Sequence, residues 1–461
     1  MDKKPTLSKK GLYGYVVGSA IGAGMFVSLP GAIEHTGKSV ILAVIVASIV
    51  YFFAYWYSVS LSSLAPIGGA DYGYTSFVSS PTMAGVYGLT NLFWLLGNCV
   101  YATGAVEYIA VFVPALKPYL GISAALLITL FMVIDYVGVG LGAKVEGFMT
   151  VVLTISVLVF IAIGVTMVNP VEFFTFTAEE PFFTNGFIGF SKSLALCIWV
   201  IGGIGTATIT FARDVEKPTK TIPRCIIVVS IFITVVGILI SMVCAGVVPM
   251  EQAIQGVNVV AEVVLPKALF PIFIIGGAAF ALLSTLQTYI ISYREAILAH
   301  AEDGFLPKIF TKKTKSGYPI VVGLAIWITS VIPCLTGFTI DTIATYTGVP
   351  AYAILIYVNI KLLKIPDQYP ELWAKSTFRK WPKWLWNLVC IFATICSVYL
   401  VYCYVADFGA MDMLYLALAV GAMFAWGIYR MKTGKANVAK IKAEKEEVIR
   451  EAMEYANRRD G

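Results

Sequence analysis

The sequence predicts an all-α polytopic membrane protein with about 12 transmembrane helices. Composition is the first observation behind this prediction, because 59% of the 461 residues are hydrophobic and only 13% are charged. Soluble proteins carry about 25% charged residues. The mean hydropathy is +0.83. Long apolar segments and a periodic distribution of basic loops are the second and third observations.

Apolar segments near or above the roughly 20 residues that cross hydrocarbon recur along the chain. In chain order the predicted segments are 11–33, 39–65, 83–114, 120–141, 147–168, 187–212, 225–248, 267–300, 319–337, 340–363, 385–407 and 413–430.

Basic residues predict how these segments are oriented. They cluster in the N-terminus and in the loops after the sixth, eighth and tenth segments: Lys3, Lys4, Lys9 and Lys10; Arg213, Lys217, Lys220 and Arg224; Lys308, Lys312, Lys313 and Lys315; Lys361, Lys364, Lys375, Arg379, Lys380 and Lys383. Short basic loops remain in the cytoplasm. We therefore expect both termini to be cytoplasmic in a multi-pass protein of the plasma (cytoplasmic) membrane. The net charge of +6 then reflects topology and indicates no nucleic-acid partner.

Cysteine and histidine usage favours no cofactor or metal site of the thiolate or imidazole kind. All eight cysteines lie in or beside apolar segments without metal-binding spacing. They are expected to be small buried hydrophobic residues. The chain has only two histidines, His35 and His300.

The first apolar segment is interrupted by a glycine-rich run, from Gly18 through Gly22 and Gly24 to Phe26. Glycine costs about 1 kcal/mol relative to alanine inside a helix, and a lipid-exposed segment cannot leave backbone groups unpaired. The interruption must therefore face protein, water or a ligand. Small residues spaced four apart also permit close helix crossing, so this pattern alone leaves both interpretations open.

A second glycine cluster lies at the corresponding place in the sixth segment, within 199–208 at Gly202, Gly203 and Gly205. Interrupted segments at matching positions in two halves of a chain are typical of transporters built from inverted repeats. Five segments per repeat turn the second repeat upside down, so that the two interruptions meet near the membrane midplane. The pairing favours a binding site over simple close packing.

Five ordered motifs resemble the amino acid-polyamine-organocation transporter superfamily, over about residues 10 to 430. They are the run from Gly18 to Phe26, the run from Ala65 to Tyr74, the run from Trp94 to Asn98, the stretch from Phe211 to Arg224, and Arg294 with the run from Ala301 to Pro307. The resemblance implies the leucine-transporter fold with a 5+5 inverted repeat, broken helices 1 and 6, and two extra helices.

The resemblance also implies a division of the chain and a function. The parts are a cytoplasmic N-terminus at 1–10, a first repeat at 11–168, a second repeat at 187–363, two extra helices at 385–430 and a charged cytoplasmic tail at 431–461. The implied function is secondary active amino acid transport by alternating access, as an exchanger or a proton-coupled symporter. The chain contains no phosphate-binding loop, zinc motif or nucleophile–base pair, so we expect no enzyme.

Backbone groups carry most of the binding site that the resemblance implies. The amides of Gly22, Ala23 and Gly24 are expected to meet the substrate carboxylate at the positive end of a half-helix. Carbonyl groups from both interruptions are expected to accept hydrogen bonds from the substrate amino group: Ser19, Ala20, Ile21, Trp199, Gly202 and Ile204.

Four side-chain positions are expected to set specificity. Trp199 and Tyr289 match aromatic residues that close over a substrate, with simple packing as the alternative. Asn98 either contacts the substrate side chain or forms a helix–helix hydrogen bond. Gly205 lacks the carboxylate of some cationic amino acid transporters, which favours a neutral L-amino acid. A polyamine or cationic amino acid carrier and a transport-like amino acid sensor remain the alternatives.

The sequence indicates less clearly which residues couple transport to an ion. The candidates are membrane-embedded charges and hydroxyl groups. Glu107 and Lys192 are candidates for an external vestibule, whereas Asp135, Arg294 and Glu295 are expected to snorkel or form a structural ion pair. A lysine that some relatives carry in the fifth segment is missing, with Leu153 at the aligned position. A possible sodium site comprises Ser284 and Thr285 with carbonyls of Gly18 and Ile21. Exchange, proton symport and sodium symport are preferred in that order.

The charged tail has an apolar stripe in helical spacing at Val438, Ile441, Val448, Ala452 and Tyr455. Docking on a membrane or a partner is one interpretation of the stripe. A solvated helix is the preferred one.

Overall fold

The computed structural model describes residues 7–22, 24–176, 181–337, 340–406 and 408–460, without the side chains of 139–144, 340–346 and 455–460. This part of the chain is helical, and its extended pairing is a single bridge between Leu7 and Val215.

The first half contains α1 (Lys9–Ala20), a π-helical segment (Gly24–Ser28), α2 (Leu29–Thr36), α3 (Val40–Ala54), α4 (Trp56–Ser62), α5 (Ala70–Val78), α6 (Pro81–Trp94), α7 (Gly97–Ala110), α8 (Leu120–Val137), α9 (Val139–Met167) and α10 (Pro170–Phe173). The second half contains α11 (Gly186–Ile201), α12 (Ile204–Thr210), α13 (Pro218–Gly246), α14 (Met250–Ala253), α15 (Val257–Val264), a π-helical segment (Ile272–Ala279), α16 (Phe280–Glu302), α17 (Ile320–Thr336), α18 (Ile340–Leu362), α19 (Ile365–Gln368), α20 (Pro370–Lys375), α21 (Lys383–Val405), α22 (Ala410–Lys432) and α23 (Val438–Asp460). Short 3₁₀ turns connect several of them.

Eight helical runs within the described residues are long and apolar enough to cross a membrane. They are Lys9–Ala54, Pro114–Val137, Val145–Met167, Gly186–Thr210, Pro218–Gly246, Ile272–Glu302, Lys383–Val405 and Ala410–Lys432, with shorter apolar helices at Ile320–Thr336 and Thr347–Leu362. The chain is therefore a multi-pass membrane protein.

Both predicted interruptions are present. The first segment stops at Ala20 and becomes helical again at Gly24, and the sixth stops at Ile201 and becomes helical again at Ile204. In the second interruption Gly203 has φ +82°, a left-handed conformation that favours glycine because it has no Cβ.

Two predicted continuous segments are also divided. The segment predicted at 83–114 forms α6 and α7, because the amides of Leu96 and Asn98 bond to carbonyls three residues back instead of four. The segment predicted at 39–65 is divided at Tyr55, which has φ −92° and ψ +24°. Both divisions place aromatic residues beside the interrupted helices, as described below.

The N-terminus, two loops and the C-terminal region gather at one end of the bundle, here called the basic end. The amide of Leu7 donates to the Asp214 carbonyl over 3.0 Å, directly after α12. Arg430 at the end of α22 donates to the carbonyl oxygens of Gly304 and Leu306, at 2.9 Å each. The loops that the sequence assigns to one side of the membrane therefore share one face.

The helix α23 docks on this basic end, so the solvated helix preferred from the sequence is wrong. Val448 and Ala452 of its apolar stripe are buried, with 6% and 3% of their surface exposed. Lys440 forms an ion pair with Asp303 at 3.3 Å, and the Lys445 ammonium lies over the Phe77 ring. Apolar contact and charge pairing together hold the helix.

Asp303 shows the electrostatic cost of this docking. Burial raises the pKa of its carboxyl group, and hydrogen bonding from Tyr72 and the charge of Lys440 oppose that increase. The Tyr72 hydroxyl donates to Asp303 over 2.7 Å. The carboxylate is therefore held by one neutral donor and one cation.

Candidate substrate site

The two interrupted helices touch through their backbones. A Cβ atom on Gly24 would lie 2.0 Å from both the carbonyl carbon of Trp199 and the nitrogen of Val200. Real Cβ atoms do not approach other atoms this closely. Gly24 thus serves the close-packing role that the sequence left open, and it brings the first interruption against the second.

A small cavity lies where these helices meet. Its volume is about 20 Å³, which is little more than the roughly 10–15 Å³ that a single water requires. Its walls are backbone of the two interruptions together with a large aromatic surface. The lining residues are Ser19, Ala20, Gly22, Tyr51, Tyr55, Asp71, Trp94, Tyr101, Ile198, Trp199, Gly202, Gly203, Thr206, Thr285, Tyr289, Tyr293 and Tyr352.

Six residues predicted from the sequence line this cavity: Ser19, Ala20, Gly22, Trp199, Gly202 and Tyr289. Five others do not line it, namely Ile21, Gly24, Asn98, Ile204 and Gly205. Ala23 lies outside the described residues.

The residues outside the lining have other contacts. The Asn98 amide nitrogen donates to the Ser330 hydroxyl of α17 over 2.9 Å, which is the helix–helix hydrogen bond considered as its alternative role. The Ile204 carbonyl accepts from the Thr208 hydroxyl within α12 at 2.6 Å. A Cβ on Gly205 would lie 2.9 Å from the Ser58 hydroxyl oxygen, so Gly205 permits contact with α4.

The first interruption rests on α16. The Thr285 hydroxyl donates to the Ser19 carbonyl over 2.9 Å, and a Cβ on Gly22 would lie 2.1 Å from the same hydroxyl oxygen. The Ile21 amide donates to the Val17 carbonyl over 3.1 Å and closes the last turn of α1. Thr285, which the sequence suggested as a sodium ligand, therefore supports the backbone of the first interruption.

The second interruption is held by a tyrosine that sequence reasoning missed. The Gly203 amide donates to the Tyr51 hydroxyl of α3 over 2.9 Å. The Tyr51 ring stacks on Tyr55 with centroids 4.5 Å apart. Aromatic residues are common in membrane helices, so no pattern in the sequence distinguished Tyr51 from ordinary packing.

The aromatic walls form one connected cluster around the cavity. The Trp199 ring contacts Trp94 and Tyr101 with centroid distances of 6.3 and 6.2 Å. The Tyr289 ring contacts Tyr101 at 5.0 Å and Tyr293 at 5.3 Å. Trp199 and Tyr289, the two predicted aromatic residues, thus meet through Tyr101.

Asp71 is the acidic side chain of the lining and was not predicted as a site residue. It follows Gly69 and Ala70, which have φ values of +82° and +47°. Its two carboxylate oxygens accept hydrogen bonds from the hydroxyls of Tyr57 and Tyr87. The motif around Asp71 was visible in the sequence, but this turn, which directs the carboxylate inward, was not.

Among the coupling candidates, the Arg294–Asp135 pair is structural. Its atoms lie 2.6 Å apart with little exposure, and Tyr318 donates to the second carboxylate oxygen over 3.0 Å. Glu295 contacts Arg294 at 3.1 Å. Asp135, Arg294 and Glu295 therefore form the structural ion pair that was one of the two expectations for them.

The vestibule candidates occupy different surroundings. Glu107 lines a separate cavity of about 580 Å³ together with Lys117. Lys192 lies half-buried on α11 and is not among the residues lining that cavity.

The fifth segment presents a group that the sequence analysis passed over. Leu153, the aligned position of the missing lysine, is buried in the apolar core. The residues of α9 that face Gly18 and Ser284 are instead Glu146 and Thr150. The Ser284 hydroxyl donates to the Glu146 carboxylate, so Ser284 and Thr285 serve two different partners.

Comparison with known proteins identifies the family of the chain. The family model described as amino acid permease matches residues 7–424. The branched-chain amino acid permease BcaP of Bacillus subtilis (strain 168) is 22% identical, over 77% of this chain and 80% of the relative. Amino-acid permease AapA of the same organism is 25% identical, over 66% and 67%. A methylthioribose transporter of that organism is 23% identical, over 79% and 81%.

Members of the matched family are membrane transporters and not enzymes. The match covers both interrupted helices and nearly all of the bundle around them. On this evidence the chain belongs to the amino acid permease family.

Proposed function

We propose that the protein is a secondary active transporter of neutral L-amino acids that works by alternating access. The observation that carries the proposal is the cavity at which both interrupted helices present backbone to an aromatic enclosure. Free amides at a helix start suit a carboxylate, and free carbonyls suit an ammonium group. An α-amino acid carries both groups on adjacent atoms.

The carboxylate is assigned to the first interruption. Helical structure begins again at Gly24 and continues to Thr36, so its first amides have no partner within the helix, and of these the Met25 amide donates to the Gly22 carbonyl over 3.2 Å. The positive end of the helix dipole adds to their attraction for an anion. Gly22 lies in the cavity lining two residues before this start, and Ala23 belongs to the same assignment by its place in the sequence.

The amino group is assigned to carbonyls of both interruptions, chiefly Ala20, Trp199 and Gly202. The Ser19 carbonyl already accepts from Thr285 and would share its second lone pair. Ile21 and Ile204 lie outside the lining, so we give them no direct contact with substrate.

The substrate side chain is assigned to the aromatic wall at Trp199 and Tyr289. Since Gly205 packs against Ser58, the preference for a neutral side chain now rests on this wall and no longer on the missing carboxylate. A cavity of about 20 Å³ is too small for an amino acid. Binding therefore requires aromatic side chains to rotate or one helix group to tilt away from the other.

The finer architecture belongs to the same proposal. We assign twelve spans, with residues 11–168 and 187–363 as two inverted repeats in a leucine-transporter fold and with α21 and α22 as the extra helices. The basic end would face the cytoplasm, because short basic loops are retained there. The interruptions at matching positions and the gathering of the basic loops support this arrangement.

A cationic amine is the second candidate, and Asp71 favours it. A carboxylate among aromatic rings is a suitable partner for an ammonium group. Both Asp71 oxygens already accept from tyrosine hydroxyls, which favours a structural role. Neutral amino acids therefore remain the first proposal.

A matched ligand panel tests the function in purified protein reconstituted into liposomes. The panel comprises L-leucine, isoamylamine without its carboxylate, 4-methylpentanoate without its amino group, and methylthioribose, with the other common amino acids beside them. We expect saturable uptake and thermal stabilisation by one or more L-amino acids only. Preference for isoamylamine would favour the amine carrier, stabilisation without uptake would favour a sensor, and no response to any amino acid would refute the proposal.

A variant pair links the result to this cavity. Trp199→Ala removes a half-buried lining side chain. It is expected to raise KM for uptake at least tenfold, since truncation of an aromatic anchor at a binding site costs about 2 kcal/mol or more. Trp384→Ala is the control, because Trp384 lies on α21 with 67% of its surface exposed. Equal KM values for the two variants would exclude Trp199 from the site.

A further inference from the structure

A buried carboxylate lies one helical turn from the first interruption. Glu146 on α9 is 1% exposed and belongs to the apolar run Val145–Met167. One oxygen, Oε1, accepts hydrogen bonds from the Ser284 hydroxyl and, over 3.3 Å, from the Thr150 hydroxyl. The other oxygen, Oε2, is buried without a partner among the described residues.

Glu146 also packs directly against α1. A Cβ on Gly18 would lie 2.8 Å from Glu146 Oε1 and 2.1 Å from Thr150 Oγ1. Gly18 lies two residues before Ala20, which is the last residue of α1 and part of the cavity lining. The carboxylate therefore contacts the same helix whose end forms the substrate cavity.

The described surroundings of Glu146 offer no counter-ion. From α1, Tyr15 is in electrostatic range of Glu146, and it is also in range of the Asp135–Arg294 pair. Arg294 is engaged by Asp135 and by Glu295. The other described charged side chains on helices packed against α9 are exposed or engaged elsewhere. They are Lys9 and Lys10 on α1, Lys220 and Arg224 on α13, Glu262 on α15, Glu302, which pairs with Lys313, and His300, which contacts the Gly85 carbonyl. The side chain of Lys144 on α9 lies outside the described residues.

An ionised carboxylate in these surroundings costs several kcal/mol, since two hydroxyl donors cannot replace its hydration or a cation. A proton on Oε2 removes the charge and leaves the smaller cost of an unpaired hydroxyl. Ser284 and Thr150 both donate to Oε1, which leaves Oε2 as the oxygen that carries the proton. The packing in this conformation is therefore suited to the neutral acid.

A metal cation is less suited to the same place. Gly18 approaches the carboxylate and the Thr150 hydroxyl so closely that a Cβ would not fit. The Thr285 hydroxyl is 2.9 Å from the Ser19 carbonyl and 3.0 Å from the Ala281 carbonyl and shares its one proton between them, so only its lone pairs would be open to a cation. A proton needs no additional space.

We propose that Glu146 binds and releases the proton that is co-transported with the substrate. Glu146 stays protonated while α1 packs against α9. When α1 tilts away and water enters between them, the carboxylic acid transfers its proton to water and leaves a hydrated carboxylate. This inference rests on the proposed transport function, which it extends by naming the coupling group.

Two transport measurements in proteoliposomes test the role of Glu146 separately from the proposed amino acid transport. Counterflow measures exchange of labelled for unlabelled substrate and needs no net proton movement. Accumulation under a pH gradient of one unit, with the membrane potential clamped at zero, measures coupling. One proton per neutral substrate gives about tenfold accumulation, because one pH unit corresponds to 1.36 kcal/mol.

Glu146→Gln keeps the shape of the neutral acid and cannot release a proton. We expect it to retain counterflow and to lose pH-driven accumulation, from about tenfold to about onefold. The control Glu262→Gln changes an exposed carboxylate on α15 and is expected to accumulate like the wild type. Glu107→Gln tests the carboxylate that the sequence suggested as a coupling group.

The outcomes are distinct. Tenfold accumulation by Glu146→Gln, loss of accumulation in Glu107→Gln alone, or accumulation driven by a sodium gradient in the wild type would overturn the role of Glu146. Absence of counterflow in the wild type would instead refute amino acid transport itself. If Glu146→Gln does not fold, Glu146→Asp retains a carboxyl group in a shifted position, and an unchanged pH profile of uptake in that variant would contradict the proposal.

Discussion

The contact between the two interruptions gives the sharpest stability prediction. In Gly24→Ala the new Cβ would lie 2.0 Å from two backbone atoms of the Trp199–Val200 peptide, whereas ordinary contact begins at 3.4 Å. The two backbone segments must therefore separate by more than 1 Å. Overpacking of this kind costs typically about 1–3 kcal/mol, and the obstacle here is backbone, which cannot rotate away as a side chain does.

Gly14→Ala is the matched control on the same interrupted segment. A Cβ on Gly14 meets nothing within 4 Å. The substitution therefore adds helix propensity, worth up to about 1 kcal/mol, without a clash. The same chemical change at Gly24 and at Gly14 is expected to shift stability in opposite directions.

Thermal unfolding in detergent measures both variants. The eight cysteines are free and buried, so a thiol-reactive fluorescent dye reports their exposure during unfolding. We expect a lower midpoint for Gly24→Ala, with loss of stabilisation by amino acid, and an equal or higher midpoint for Gly14→Ala. If the two variants unfold alike and both retain ligand stabilisation, the reasoning about contact between the interruptions is refuted.

Two further substitutions examine hydrogen bonding and buried charge. Tyr51→Phe leaves the Gly203 amide without its acceptor and should cost about 1–3 kcal/mol, seen as a lower unfolding midpoint and weaker amino acid binding by calorimetry. Asp135→Asn leaves Arg294 buried with weaker compensation and should cost about 3–5 kcal/mol in the same unfolding assay. Asp367→Asn is the control for Asp135→Asn, because its pair with Lys383 is exposed and contributes about 0–1 kcal/mol.

The sequence was most informative where backbone geometry depends on glycine. The clusters at Gly18–Gly24 and Gly202–Gly205 predicted both interruptions, since no other residue type gives the same freedom inside an apolar helix. The ends of the apolar segments were predicted only to within a few residues. The fifth segment was expected to begin at 147, and this small error left Glu146 outside the membrane and outside the candidate coupling groups.

Side-chain direction could not be predicted in the same way. Asp71 belonged to a recognised motif, but its contact with the cavity depends on a turn with positive φ at Gly69 and Ala70. Asn98 was placed correctly in a membrane helix, whereas its hydrogen bond to Ser330 depends on how α7 packs against α17. Such partners come from segments distant in sequence, which one sequence without its fold does not specify.

The proposed proton and substrate sites share one rigid element, and this makes their coupling a mechanical consequence of the fold. Gly18 and Ala20, which lines the cavity, are about 3 Å apart along α1, at about 1.5 Å per residue. Gly18 contacts Glu146, and the carbonyl of Ser19, the next residue, accepts from Thr285 beside the cavity. A tilt of α1 that opens one contact therefore opens the other. Linkage then requires that substrate raise the affinity for the proton by the same factor by which the proton raises the affinity for substrate. Substrate binding in weakly buffered solution should accordingly take up protons in the wild type and take up none in Glu146→Gln.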